Sequence, residues 1–225
     1  MDRAKEPRRV FITGGTGYMG RVLIPALVER GHEVRALARS GSEARLPPGC
    51  APVLGNALES ASFADQVWPA DTLVHLVGVS HPAPWKEKEF RAVDLASVRA
   101  SIAAAQVAGV EHFVYVSVAQ PAPVMKAYIK VRAECETLIR AARLNVSILR
   151  PWYVLGPGHR WPYMLLPVYW MLERLPATRD TALRLGLVTL AQMRAALLWA
   201  IENPGRGVRI LPASEIRRAG RPTRD

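Results

Sequence analysis

The stretch whose residue types and spacing best suggest chemistry is Val10-Phe11-Ile12-Thr13-Gly14-Gly15-Thr16-Gly17-Tyr18-Met19-Gly20. A short apolar run meets a glycine cluster there. It then gives way to Arg21 through Arg30, apolar at helical spacing and stopped by Gly31. A strand therefore turns into a helix at the glycines, which is the setting in which bare backbone approaches a pyrophosphate. The helix start adds free N–H groups and the positive end of its dipole. Two spacings fit at once: Gly15, Gly17 and Gly20 read as G-x-G-x-x-G, while Gly14, Gly17 and Gly20 read as G-x-x-G-x-x-G. Alone, either pattern also describes a tight turn at a well-packed helix start. The second strand at Glu33 to Ala38 tips the reading to a dinucleotide site, with Gly14, Gly15, Thr16, Gly17, Tyr18, Met19 and Gly20 as expected contacts.

The end of that second strand bears on which dinucleotide. An acidic residue there would bond the adenine ribose hydroxyls, whereas an arginine suits a 2′-phosphate. No Asp or Glu lies between Val34 and Gly41, and Arg39 stands there with Ser40 beside it. The expectation is NADP(H), with NAD(H) as the other possibility; the competing reading of Arg39 is a solvated loop residue.

These residues need a frame, and the chain supplies one. Ala51 to Leu54 reads as a third strand, followed by Gly55-Asn56; Asp71 to Gly78 reads as a fourth, apolar enough to be buried on both faces. His75 within it reads as a core residue rather than a catalyst. The loop Val79-Ser80-His81-Pro82-Ala83-Pro84-Trp85 follows a strand end, where open parallel sheets bind ligands, so it is a candidate substrate wall with His81 as a contact. Lys86 to Ala108 is an amphipathic helix on Phe90, Val93, Val98, Ile102 and Ala105, closed by Gly109. A fifth strand at His112 to Ser117, a helix from about Met125 to Arg143 and a sixth strand at Val146 to Leu149 complete the alternation. The fold class is α/β, a doubly wound parallel sheet (Rossmann) over residues 1–150, with a small, mostly helical C-terminal lobe over 151–216. In that lobe, Thr189 to Asn203 is a helix and Gly207 to Leu211 a strand returning to the core; a disordered tail is expected over 217–225. The apolar, aromatic run Trp161 to Leu172 is too short and proline-broken to span a bilayer. It reads as a lid, a dimer contact or a membrane-surface anchor, with burial against the domain or a partner favoured.

The totals limit the alternatives. Half of the 225 residues are apolar, which suits a globular chain. Cys50 and Cys135 form no redox or metal-ligand spacing, and the charged N-terminus has no apolar signal core, so a cytoplasmic protein without metal is expected. The net charge is +11, but +4 of it lies after Pro204, largely in the tail, and no aromatic-interleaved basic stripe accompanies the rest. Nucleic-acid binding therefore ranks last.

With these segments placed, the chain resembles the short-chain dehydrogenase/reductase superfamily, in its extended and atypical (NmrA-like) branches, from about Arg9 to Ile210. The likeness rests on the glycine stretch, Gly55-Asn56, Gly109 through Ser117, Tyr128 through Glu136, and Leu149-Arg150-Pro151 with Gly156-Pro157-Gly158. It implies that Asn56, Ala57, Leu76, Val77, Gly78 and Pro151 complete the cofactor site, Arg150 and Pro151 shaping its nicotinamide end. Members that reduce carbonyls or epimerise sugars use a Tyr-x-x-x-Lys pair and an upstream Ser. Ser117 and Tyr128 stand at the serine and tyrosine positions, but Arg132 holds the lysine position. Tyr128 and Arg132 share a helical face. Arginine can lower the tyrosine pKa and hold ribose hydroxyls, but it cannot relay a proton. Asn56 replaces a usual aspartate near the adenine, and Asp94 a frequent asparagine in the central helix.

Two readings follow. In one, the protein is an NADPH-dependent oxidoreductase acting on an apolar or aromatic carbonyl-type small molecule. Ser117 would orient the carbonyl, and Tyr128 would protonate it with its pKa lowered by Arg132. In the other, it is a non-catalytic NAD(P)H sensor or assembly factor, and the 161–172 run meets a protein partner or a second copy. Membrane association is not expected.

Overall fold

The computed structural model describes residues 6–80, 82–157, 171–172, 174–176 and 178–219. Strands β1 (Arg9–Thr13), β2 (Glu33–Ala38), β3 (Ala51–Leu54), β4 (Thr72–His75), β5 (His112–Val116), β6 (Asn145–Arg150) and β9 (Val208–Pro212) form one sheet in the order β3-β2-β1-β4-β5-β6-β9. Every pairing is parallel, with Val10 set between Val34 and Thr72. The short β7 (Val154–Leu155) and β8 (Val188–Thr189) pair separately. Strand order reverses between β1 and β4, so a crevice opens at their carboxyl ends.

Parallel strands must be covered on both faces, and alternate residues divide between two cores. Val10 and Ile12 face α1 (Gly20–Glu29) and α5 (Leu190–Glu202), packing with Leu23, Leu27, Met193, Leu197 and Ile201. Phe11 faces the other way, with Phe63, Leu73 and Phe113, under α2 (Ala96–Val107) and α3 (Lys126–Ala141). Helix α5 begins at a capping box: Gln192 N–H donates to Thr189 Oγ1, and Thr189 N–H to Gln192 Oε1. Helix α5, from beyond residue 150, packs with α1 on the same core.

Two expectations are corrected. Helix α4 (Arg179–Arg184) is followed after β9 by α6 (Ala213–Ala219), so order continues beyond Ile216 instead of ending there. Ala213 and Ile216, one turn apart, are fully buried and hold the helix to the core. The helix expected from Lys86 is not uniform either: a turn at Glu87–Glu89 and a π-helical turn at Phe90–Leu95 precede α2. The wider turn buries Phe90 and Asp94 together and leaves Val93 half-buried.

Candidate active site

The glycine stretch decides between its two spacings. Gly14 has φ +81°, and a Cβ there would lie 2.8 Å from the Leu76 carbonyl carbon. Only glycine tolerates both the left-handed backbone and so close an approach. A Cβ at Gly20 would collide with the backbone of Gly15, so α1 starts hard against the turn. Gly15 faces Ala36 and Leu46 instead. The working set is Gly14, Gly17 and Gly20, with Gly15 a packing residue. Met19 is the N-cap of α1 and no side chain caps that end; the N–H groups of Arg21 and Val22 donate to the Gly17 and Met19 carbonyls, and the helix start presents its positive dipole end to the turn.

A cleft of about 330 Å³ opens from this turn. Of the expected contacts, Gly14, Thr16, Gly17, Arg39, Asn56, Ala57, Leu76, Val77 and Gly78 line it. Leu37, Ala38, Ser42, Gly55, Leu58 and Val93 add to the wall, and they were missed because only their positions at strand ends and in the π-helical turn bring them there. Ser42 lines the cleft where Ser40 was expected; both stand near the exposed Arg39. Asn56 is held in place: its Oδ1 accepts from Leu58 N–H, and its Nδ2 donates to Glu59. Tyr18 turns away toward the C-terminal segment, its hydroxyl against Gly156. Pro151 is buried, its carbonyl accepting from Ala119 N–H at 2.9 Å. Two larger hollows, about 450 and 600 Å³, lie elsewhere. One is at the amino edge of β5 and β6 and the other beside α2, and neither contains the glycine turn.

The residues expected to do chemistry are brought near one another, yet each is engaged differently from the expectation. Ser117 Oγ donates to Glu136 Oε1 at 2.7 Å, where Gln120 and Arg150 also converge; Arg150 adds a second bond to Oε2. The serine's one donor is therefore taken by a buried carboxylate rather than presented to a carbonyl. Arg132 pairs with Asp94 at 2.5 Å, and its Nη1 donates to Tyr115 Oη and to the Val116 carbonyl. Its guanidinium lies over the Tyr128 ring, 5.1 Å from the centroid, while Phe90 packs the ring from another side. Burial raises the Tyr128 pKa, and Arg132 offsets this only in part. The expected lowering is thus reversed: the cation faces the ring, and its charge is already balanced by Asp94.

His75 is fully buried, hydrogen-bonded to Thr13 and Ser101, with its pKa lowered to about 3 chiefly by burial. It is a neutral core residue, as the sequence indicates. His81 lies outside the described residues, as does most of the Trp161 to Leu172 run. Of that run, Met171 is exposed and the Leu172 carbonyl accepts from Thr178 Oγ1. Among the described residues, no helix is long and apolar enough to cross a membrane.

Comparisons with known proteins agree with this geometry. A family model described as NAD(P)H-binding matches residues 14–160. A ketoreductase of 4-hydroxy-2-methyl-3-oxo-4-farnesyl-3,4-dihydroquinoline-1-oxide from Stigmatella aurantiaca is 35% identical over 48% of this chain and 33% of its own length. A 3-beta-hydroxysteroid dehydrogenase from Mycolicibacterium neoaurum is 32% identical over 48% of this chain and 31% of its own length. Ceramide reductase from Caulobacter vibrioides is 26% identical over 94% of this chain and 66% of its own. The matches thus span about a third of the first two relatives. Among solved structures, the Bordetella bronchiseptica enzyme WbmH in complex with NAD+ superposes with TM-score 0.67 at 20% identity, covering 91% of this chain and 75% of WbmH. A dTDP-glucose 4,6-dehydratase from Streptomyces venezuelae with bound NAD gives 0.68 at 18%, covering 94% and 79%.

Proposed function

The chain belongs to the NAD(P)H-binding family of the short-chain dehydrogenase/reductase superfamily, and from that premise we propose that it is an NADPH-dependent reductase of an apolar carbonyl compound. The observation that carries the cofactor half is bare backbone at Gly14 and Gly17 on the cleft wall, with Gly20 seating α1 against the turn at a helix start that no side chain caps. Arg39, exposed on the cleft wall with no acidic residue from Val34 to Gly41, supports the phosphorylated nucleotide. The apolar substrate is supported by Trp85 and Val124, 82% and 54% exposed on the loops after β4 and β5, beside the same carboxyl edge. Relatives named for farnesyl-dihydroquinoline, steroid and ceramide substrates point the same way.

When bound, the nicotinamide supplies a hydride to the carbonyl carbon. The chain's part is to bind, orient and protonate. The glycine turn holds the diphosphate, and the Leu76–Gly78 wall positions the reactive end. Tyr128, kept protonated by burial, gives its hydroxyl proton to the carbonyl oxygen. Reduction is the proposed direction because the nucleotide proposed is NADPH and the Tyr128 hydroxyl holds its proton at neutral pH; the phenolate left by the transfer takes its proton back from solvent. Ser117 supports Glu136 rather than the substrate. The test is NADPH oxidation across quinones, ketones and long-chain carbonyls, with Tyr128→Phe beside the wild type. The proposal expects about a hundredfold or greater loss of turnover with NADPH affinity retained; unchanged turnover would refute Tyr128 as the donor.

A second reading, a nucleotide-dependent regulatory factor, is favoured by the same engagements of Ser117 by Glu136 and Arg132 by Asp94. It predicts no turnover on the panel and a partner bound only in the presence of NADP(H).

A further inference from the structure

In the sequence, Asp94 and Arg132 are two separate departures from the superfamily's pattern; in the structure they meet. Asp94 is fully buried, Arg132 is 7% exposed, and their Oδ1 and Nη2 atoms lie 2.5 Å apart. Each also reaches a different strand end. Asp94 Oδ2 accepts from Val79 N–H, just beyond β4, at 3.3 Å. Arg132 donates to the Val116 carbonyl at the end of β5, at 3.0 Å. Gly78, part of the cleft wall, lies against this pair: a Cβ there would collide with Arg132 Nη2 and stand 3.1 Å from Asp94 Oδ1. The π-helical turn delivers Asp94 to this spot.

We infer that Asp94 is a positioning residue that forms, with Arg132, a clasp between the ends of β4 and β5, setting where the Leu76–Gly78 wall stands and hence how firmly the nicotinamide nucleotide is held. The two departures are then one coupled exchange. The guanidinium charge at 132 calls for a carboxylate at 94, and removing either partner leaves a buried charge uncompensated. The pattern's asparagine and lysine are the alternative, less highly charged solution. The inference rests on the cofactor-binding part of the proposed function and not on turnover.

A double-mutant cycle tests it, read by NADPH titration well below the unfolding temperature and by the thermal midpoint. Asp94→Asn and Arg132→Lys each lower NADPH affinity by about tenfold, and the double variant recovers to within about threefold of wild type. Additive losses in the cycle overturn the clasp. So do single variants that melt earlier yet bind NADPH as wild type does, because the pair is then only structural. Should a single variant fail to fold, Gly78→Ala decides the matter. It weakens NADPH by about tenfold in the wild type and less in the double variant, where the forked head is gone; wild-type affinity in Gly78→Ala overturns the clasp. A protein that obeys the cycle but reduces no carbonyl upholds the clasp and refutes the reductase reading alone.

Discussion

The two ends of the candidate site are built on opposite plans. The phosphate end is made of missing atoms: no Cβ at Gly14, Gly17 and Gly20, and no side chain capping α1. What it offers a charged ligand is bare backbone and the positive end of the α1 dipole rather than side chains. The reactive end is made of side chains that already engage one another, Ser117 hydrogen-bonded to Glu136 and Arg132 ion-paired with Asp94. An open cradle binds whatever charge fits it. A closed network fixes geometry and leaves few groups available, so Tyr128 stands as the one proton donor of the expected set not engaged by a carboxylate.

This contrast can be broken most sharply at the cradle. Gly14→Ala forces a side chain into left-handed backbone and against Leu76, so NADPH binding by fluorescence titration falls by more than about a hundredfold. Retained binding would mean that the turn is only a packing feature. Next in size is Arg39→Asp, which removes the cation proposed to meet a 2′-phosphate. NADPH affinity drops about tenfold to a hundredfold while NADH affinity does not, and equal losses for both would deny Arg39 that role.

The buried histidines sharpen the comparison from the stability side. His75 and His112 have pKa values lowered to about 3 and about 4, mainly by burial, so the folded state keeps them neutral while the unfolded chain protonates below its ordinary value near 6.5. Their contribution is complete above pH 6.5 and is lost as the pH falls toward 3. By pH 5 the loss amounts to about 2 kcal/mol per histidine, seen as a lower denaturation midpoint. A flat profile from pH 7 to 5 would contradict their burial as neutral groups. The smallest effect is expected at Ser117. Ser117→Ala removes one donor from Glu136 and costs about 1 kcal/mol of stability, while turnover changes by less than about fivefold. A hundredfold loss of turnover would return Ser117 to the substrate.

The cradle was legible in the sequence because its cause is local. Glycine spacing, the strand before and the helix after lie within one short segment, and the absence of acid beside Arg39 needs no partner to be seen. The sheet was legible for a similar reason, each parallel strand being a short apolar run bounded by turn residues. The network at the reactive end was not. Ser117 meets Glu136, and Asp94 meets Arg132, only after helices from distant segments pack on the sheet. The sequence shows the charge of Arg132 and the face it shares with Tyr128, but not the carboxylate that balances it. The π-helical turn that carries Asp94 inward also broke the regular apolar stripe, turning Val93 toward the cleft. Ser42 lines the cleft and Ser40 does not, because the curl of the loop after β2 is not written in residue types.

The central claim is that the cleft beside Gly14, Gly17 and Gly20 seats a nicotinamide nucleotide. Calorimetric titration of the wild-type chain with NADPH and with NADH tests it most directly. The account predicts saturable binding of one nucleotide per chain, tighter for NADPH. No saturable heat with either nucleotide would contradict it.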